Sequence, residues 1–183
     1  MIDAYQHLTE CILQMIQNIK PIQKTMIGHG LLIMFIALAT GLLLWVSLLG
    51  GFEIYPGFIL SMDLGGTPEG WARVHRGVPM NALMILVFAF VLISLNFSSK
   101  KENILGWIFI ATGWANTIFY IAANYSGNRG LSFGENKFGA SDIFSFIALM
   151  PAYVFGVLSM AIIFHMAIHC LKKSLFFYLI YQL

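Results

Sequence analysis

The stretch of sequence that decides the fold is polar and lies between two long apolar runs. It reads Gly70-Trp71-Ala72-Arg73-Val74-His75-Arg76-Gly77-Val78-Pro79-Met80-Asn81. Histidine and asparagine side chains at the mouth of a membrane helix cost free energy unless something binds them. A metal, a cofactor or a substrate would satisfy them. The stretch therefore separates two predicted membrane spans and marks His75 and Asn81 as candidate functional residues.

The composition is typical of an integral membrane protein with one domain. Of the 183 residues, 59% are hydrophobic and 10% are charged, whereas a soluble domain carries about 25% charged residues. The net charge of +2 is too small to indicate a nucleic-acid partner. Cys11 and Cys170 belong to no CxxC or CxxCH motif. We therefore expect neither a zinc knuckle nor covalently attached c-type haem.

Apolar segments long enough to cross a bilayer, about 20 residues each, occur at four places. We predict an all-α fold, an integral membrane four-helix bundle. Pro79 suits the first turn of the second span, and Pro151 lies inside the fourth. The predicted spans are residues 26–49, 78–97, 104–125 and 143–170.

The ends of the chain are expected to lie outside this membrane domain, which we place at residues 26–171. Apolar residues recur at helical spacing between Ile2 and Ile19. This pattern predicts that the N-terminal extension, residues 1–25, is an amphipathic helix lying on the membrane surface. A disordered tail is the alternative. Residues 172–183 form a predicted C-terminal tail.

Charged residues divide between the two sides of a four-span arrangement. The excess of lysine on one side predicts that both termini are cytoplasmic. The distribution of acidic residues supports the same orientation, because these acidic residues lie on the side that carries fewer basic residues. The larger basic group contains Lys20, Lys24, Lys100, Lys101, Lys172 and Lys173; the other side holds Arg73, Arg76, Arg129, Lys137, Glu53, Asp63, Glu69, Glu135 and Asp142.

The third span carries a polar stripe, in which each residue follows the last by four positions. The members are Thr112, Asn116, Tyr120 and Asn124. On a helix this spacing gives one slowly drifting line, which should face protein or a cavity rather than lipid. Hydrogen bonding between helices is the alternative for Thr112 and Asn116. Tyr120 and Asn124 could also be ordinary interfacial residues.

The histidines differ in their expected environments. His75 is predicted at the outer end of the second span, near Tyr120, and a simple interfacial hydrogen bond is its alternative role. His29 lies on the presumed cytoplasmic side. His165 and His169, four residues apart near the same side, could bind a metal. Interaction with the helix dipole and headgroups is the more common role for such a pair.

Several motifs, taken together and in this order, resemble those of the styrene oxide isomerases, which are small bacterial membrane enzymes with four spans. The resemblance extends over residues 28–160. It is densest around Asn128-Arg129-Gly130-Leu131 and Asp142-Ile143-Phe144-Ser145-Phe146. The other matching motifs are Gly28-His29-Gly30, Gly50-Gly51-Phe52-Glu53-Ile54, Pro56-Gly57, Pro68-Glu69-Gly70-Trp71-Ala72-Arg73 with His75, Phe133-Gly134, Pro151-Ala152-Tyr153 and Phe155-Gly156-Val157-Leu158.

The resemblance implies a cofactor, an assembly and a set of site residues. The cofactor would be haem b with ferric iron, bound at the subunit interfaces of a homotrimer. His75 matches the axial ligand of the iron, and Asn81 and Tyr120 match residues of the substrate pocket. Thr112 stands where the family pattern has an aspartate. Arg73, two residues from His75, is a candidate partner for a haem propionate.

The implied activity is the isomerisation of an aryl epoxide, such as styrene oxide, to an aldehyde in the bacterial inner (plasma) membrane. Iron would act as a Lewis acid that opens the ring, and a 1,2-hydride shift would follow. The first alternative is a haem b membrane protein for electron transfer or sensing. Its second histidine is not evident, because His29 lies about a membrane thickness, roughly 30 Å, from His75. A scaffold without a cofactor is the second alternative.

Overall fold

The computed structural model describes residues 19–95 and 97–181, with side chains as far as residue 172. The predicted amphipathic helix falls mainly on residues 1–18, which lie outside the described residues. The elements in chain order are α1 (Pro21–Leu49), β1 (Gly51–Tyr55), β2 (Phe58–Ser61), α2 (Pro68–Leu95), α3 (Ser99–Tyr125) and α4 (Ile143–Tyr181).

The helices confirm the predicted four-span, all-α bundle. In the part of the chain that the structure describes, all 4 are long and apolar enough to cross a membrane. In α1, Pro21 occupies the first turn, where a missing N–H costs nothing, and Gly50 ends the helix with a left-handed φ of 69°. The fourth helix continues to Tyr181, beyond the residue 170 at which we predicted the fourth span to end.

The second helix begins at Pro68, ten residues before the start predicted for the second span. Thr67 Oγ1 accepts a hydrogen bond of 3.0 Å from the Gly70 N–H. Thr67, Pro68 and the acidic Glu69 therefore form an ordinary helix start. Our placement of Pro79 in the first turn is wrong: Pro79 lies inside α2, where a membrane bundle tolerates the one lost hydrogen bond. As a consequence His75 lies within the helix and not at its mouth.

The core of the bundle lies among α1, α2 and α3. Ile33, Ile85 and Phe109 are fully buried there. Gly113 lacks a side chain where Ile85 packs, which lets α2 and α3 approach closely. The fourth helix packs against α3 and leaves most of its apolar side chains exposed, as expected for a surface that faces lipid or another subunit.

A two-stranded antiparallel hairpin occupies part of the long connection between α1 and α2. Glu53 Oε1 accepts a 2.9 Å hydrogen bond from the Gly57 N–H, and Gly57 takes a φ of 84°. Such a turn between two apolar strands is a hairpin signal in the sequence, although we predicted no strand in this connection. The hairpin lies at the same end of the bundle as the loop between α3 and α4.

The loop between α3 and α4, residues 126–142, is held by buried polar groups. Asn128 is fully buried, and its Nδ2 donates to the carbonyls of Ser132 at 2.8 Å and Gly134 at 2.9 Å. The Asn128 Oδ1 accepts from Ser145 Oγ of α4 at 2.8 Å. These contacts fix the loop against the end of the bundle at which α2 begins.

Candidate functional site

His75 lies in the seam between α1 and α2, with its ring half-buried. Its Nδ1 lies 3.1 Å from the carbonyl oxygen of Ala37 in α1. A carbonyl only accepts hydrogen bonds, so this contact puts a proton on Nδ1, and Nε2 is the nitrogen of the neutral ring that can bind a metal. Histidine metal ligands are commonly held in this way, with one ring nitrogen fixed by a backbone carbonyl and the other directed at the metal.

A glycine makes the space for this ring. A Cβ built at Gly41 would lie 2.8 Å from Cε1 of His75 and 3.1 Å from Nδ1. Ala37 and Gly41 are one turn apart on α1, so one turn of that helix both orients the imidazole and leaves room for it. The resemblance gave His75 as a ligand, whereas the two residues that hold it were not identified from the sequence.

Tyr120, a residue of α3, lies in the seam between α2 and α3. Its phenol ring occupies the space that a Cβ at Gly77 would take. The ring lines an open depression of about 300 Å³ together with Arg73, Arg76, Gly77 and Met80. No residue in the described part of the chain hydrogen-bonds the Tyr120 hydroxyl, so this group is free to bind a ligand in the depression.

Within one copy of the chain, His75 and Tyr120 do not meet, contrary to our expectation. His75 and Gly77 are two residues apart on α2, which separates them by about 3 Å along the axis and about 200° around it. The ring of His75 packs against α1, whereas Gly77 carries the ring of Tyr120 from α3. The two side chains therefore have the same depth but lie on opposite sides of α2.

Asn81 is buried one helical turn further along the α2–α3 seam. Its Nδ2 lies 3.4 Å from Thr117 Oγ1, and Thr117 in turn donates to the Gly113 carbonyl at 2.7 Å. This chain of hydrogen bonds fixes the seam directly below Gly77. Asn81 therefore lies in the same seam as Tyr120 but does not line the depression.

Thr112 lies between α3 and α4, away from this depression. Its hydroxyl lies 2.8 Å from the Ile108 carbonyl and 3.2 Å from the Phe155 carbonyl of α4. Interhelical hydrogen bonding was the alternative that we left open for this residue. The predicted stripe turns gradually around the axis of α3 from one end of the helix to the other. Thr112 therefore contacts α4, whereas Tyr120 contacts α2.

The end of α2 that begins at Pro68 carries basic groups that form no ion pair with a described carboxylate. Arg129, Glu69 and Arg76 are the charged neighbours of Arg73. Among the residues that the structure describes, the one ion pair within bonding distance joins Lys20 and Glu102 at the opposite end. We expected Arg73 to bind a haem propionate, and no described carboxylate forms an ion pair with it.

The anchoring of the loop near these arginines depends on Asp142. Its carboxylate accepts hydrogen bonds from the Gly127 N–H at 2.9 Å and the Ser145 N–H at 2.8 Å. These two backbone donors lower the pKa of the Asp142 carboxyl from its ordinary value. Arg129, two residues after Gly127 in the loop, takes a left-handed φ of 61°. Its guanidinium carbon lies 4.0 Å from the centre of the Phe138 ring.

The remaining histidines described by the structure make separate contacts and share no ligand geometry. His29 Nδ1 accepts from Trp114 Nε1 at 3.1 Å. His165 Nε2 lies 2.9 Å from Lys101 Nζ, and the His169 ring packs on Phe97 at 4.7 Å. Over the described residues, no group of three or more His, Cys, Asp or Glu side chains could hold a metal ion.

The fold and these side chains define a class: a multi-pass membrane protein with an oriented histidine, together with a tyrosine hydroxyl and arginines that no described residue hydrogen-bonds or ion-pairs, respectively. Comparison with known proteins is more specific. The profile of the family described as "Styrene oxide isomerase" matches residues 22–171. The styrene-oxide isomerase of Pseudomonas fluorescens is 52% identical over 151 residues, which cover 82% of this chain and 89% of that protein.

The chain therefore belongs to the styrene oxide isomerase family, and it is an isomerase. This membership confirms the family resemblance found in the sequence. Sequence reasoning missed the role of Gly41 and Gly77, which leave room for the rings of His75 and Tyr120. Glycines inside apolar helices mark close approaches, and this signal was available, although only the structure shows that aromatic rings fill the spaces.

Proposed function

We propose that this chain is an epoxide isomerase that converts aryl epoxides, such as styrene oxide, into aldehydes. The observation that carries the proposal is the arrangement of His75. Its Nδ1 is fixed by Ala37, its ring fits against Gly41, and its Nε2 is left for a metal. The family of the chain supplies the reaction class, because the Pseudomonas fluorescens relative is a styrene-oxide isomerase.

The donor set fits haem b. We propose that His75 Nε2 ligates the iron, and that Arg73 and Arg76 of a neighbouring copy, which lie beside its Tyr120, bind the propionates. Both arginines line the outer depression and lack carboxylate partners in the described chain. When bound, ferric haem supplies a Lewis acid that polarises the carbon–oxygen bond of an epoxide. The protein must then hold the substrate, exclude water and release the product.

The other site residues suit an isomerisation without added reactants. The Tyr120 hydroxyl donates a hydrogen bond to the epoxide oxygen as negative charge develops there. The carbon–oxygen bond breaks at the benzylic carbon, because the aryl ring delocalises the positive charge. A hydrogen with its electron pair then moves from the terminal carbon to the benzylic carbon and yields the aldehyde. No electron, proton or second substrate is consumed.

Water has to be excluded during this step, since it would trap the cation as a diol. The α2 surface below the arginines is apolar, with Met80, Leu83, Val87 and Phe90 exposed in one copy. Their burial against another subunit would dry the site. We therefore propose that the active site is shared between copies, with His75 from one and Tyr120 from its neighbour in a homotrimer.

Mixed subunits test this sharing. Two variants, His75→Ala and Tyr120→Phe, are each expected to lose activity. When they are co-expressed in equal amounts, a site that takes the two residues from different copies is intact in about one quarter of cases. We expect roughly that fraction of the parent activity. A site contained in one copy would give none, and this result would refute the shared site.

The test of the activity itself is product formation from styrene oxide by membranes that contain the protein. We expect phenylacetaldehyde from the parent and from His29→Ala, a control histidine in contact with Trp114. His75→Ala should make aldehyde at least about a hundredfold more slowly and should lose the Soret band. A haem-loaded parent that forms no aldehyde would refute the epoxide isomerase, while a His75→Ala variant with full haem content would remove His75 from the site.

We further propose that the bacterial inner membrane holds the bundle with its lysine-rich end in the cytoplasm. The support is the charge distribution: Lys20, Lys24, Lys100 and Lys101 lie at helix starts on one end, together with only Glu102 among the described acidic residues. A reporter that is active only in the cytoplasm, fused after residue 183, should be active. Activity of a periplasmic reporter at the same position would reverse the orientation.

A further inference from the structure

A groove at the lysine-rich end of the bundle lies far along the helices from the proposed active site. It runs between α3 and α4 and has a volume of about 500 Å³. Its wall is almost wholly apolar, and its rim is hydrophilic and basic. The wall consists of Ile104, Leu105, Ile108, Leu158 and Ile162, and the rim of Ser98, Lys100 and Lys101.

The two lysines at the rim are positioned differently. Lys100 is exposed at the first turn of α3. The ammonium of Lys101 lies 3.9 Å above the centre of the Phe97 ring and 2.9 Å from His165 Nε2. An ammonium has three donors, so Lys101 is held at the rim and still has hydrogens to offer a ligand.

The charge of this rim is not cancelled by the acidic residue next to it. Glu102 is buried on the other side of α3, where Lys20 donates to its Oε1 at 2.7 Å. The Lys20 Nζ also lies 2.7 Å from Oε2, which has no directed hydrogen bond from a described residue. Lys20 therefore neutralises Glu102, and Lys100 and Lys101 leave the groove with a positive rim.

We propose that this groove binds one anionic phospholipid. The phosphate contacts Lys100 and Lys101, and an acyl chain lies along Ile104, Ile108 and Leu158. Ile104 and Ile108 are one turn apart, about 6 Å along the axis, so the wall runs parallel to a lipid chain. A basic pocket between helices at headgroup depth favours an anionic lipid over a zwitterionic one, whose own cation the lysines repel.

Native mass spectrometry of the full-length protein tests this proposal. The protein is incubated with equimolar dioleoyl phosphatidylglycerol and dioleoyl phosphatidylcholine and then released from detergent. We expect preferential retention of phosphatidylglycerol. Each lysine near a lipid surface contributes about a fivefold change in binding. The K100Q/K101Q variant should therefore reduce that retention roughly 25-fold, and K100R/K101R should restore it.

Two further variants separate charge from shape. Lys137→Gln removes a lysine from the loop at the opposite end and should leave retention unchanged. Leu158→Trp fills the groove without altering charge and should lower the retention of phosphatidylglycerol. Equal retention of both lipids by the parent would overturn the proposal, as would full retention by K100Q/K101Q. Disulfide crosslinking between copies through Ile162→Cys would also overturn it, because another subunit would then cover the groove.

Discussion

Replacing Gly41 by alanine should weaken haem binding through His75. The added Cβ would lie 2.8 Å from Cε1 of the ring, whereas ordinary contacts of this kind begin at 3.4 Å. The ring must therefore move by about 0.6 Å. Gly41 and Ala37 lie on the same helix, so a ring that moves away from one moves away from the other. The Nδ1–oxygen distance of 3.1 Å then lengthens to about 3.7 Å, beyond hydrogen-bonding range.

The loss of this hydrogen bond changes both the direction and the basicity of the ligand. Removing the group that orients a metal-binding histidine lowers affinity by about 10- to 100-fold, or about 1.4 to 2.7 kcal/mol. The expected result is a haem dissociation constant raised by that factor, with the helical fold retained. The assay is titration of haem into the purified apo-protein, followed by Soret absorbance.

Gly28→Ala is the matched control on the same helix. A Cβ at Gly28 has no atom within 4 Å, and alanine favours a helix over glycine. Haem affinity should therefore match the parent, and thermal unfolding should show that both variants fold. Parent-like haem affinity in Gly41→Ala would refute the account of the His75 seam.

Three further predictions concern stability, each measured by thermal unfolding in detergent. Asp142→Asn should destabilise the parent most at neutral pH. The folded-state pKa of Asp142 is lowered, so its contribution is present above the unfolded-state pKa and is lost as the pH falls through the folded value. The two proteins should therefore converge below about pH 4, and a constant difference would contradict this. Lys20→Met should lower the free energy of unfolding by about 3 kcal/mol or less, because it leaves the buried Glu102 carboxylate unpaired while Lys20 is itself partly exposed. The double variant Lys20→Met with Glu102→Leu should recover most of this stability. Failure to recover it would contradict the pairing. Thr112→Val should lower the free energy of unfolding by about 0.6 to 1.7 kcal/mol, because it removes an interhelical hydrogen bond. Thr112→Asp should lower it further, since it places a carboxylate against two carbonyl oxygens. A Thr112→Asp variant more stable than the parent would contradict this placement.

Hydropathy alone predicted the four spans of the bundle, because span length and apolar character depend on local composition. The cytoplasmic position of both termini stays a prediction. The start of α2 was misplaced for a local reason as well. Because Arg73 and His75 are polar, we did not extend the predicted span back to Thr67 and Pro68. These two residues satisfy the ordinary rules for a helix start. A span predicted from apolar length alone begins where the apolar run begins, and helices extend beyond it.

The relation between His75 and Tyr120 could not be predicted from spacing. Both lie near one end of their helices, which suggested proximity. Contact also depends on direction around the helix, and His75 and Gly77 differ there by about 200°. In the same way, the four-residue spacing of the α3 stripe predicts a drifting line but does not say which neighbour each member meets. The contact of Thr112 with Phe155 depends on how α4 packs.

The central claim is that His75 supports the isomerisation of an aryl epoxide. The most direct measurement uses styrene oxide with two deuterium atoms on the terminal carbon, supplied in ordinary water to membranes containing the parent or His75→Ala. We predict phenylacetaldehyde that retains both deuterium atoms, one on each carbon, because the hydride moves within the molecule. His75→Ala should form it at least about a hundredfold more slowly, since a Lewis acid contributes several kcal/mol. A diol product, or equal rates from the two proteins, would contradict the account.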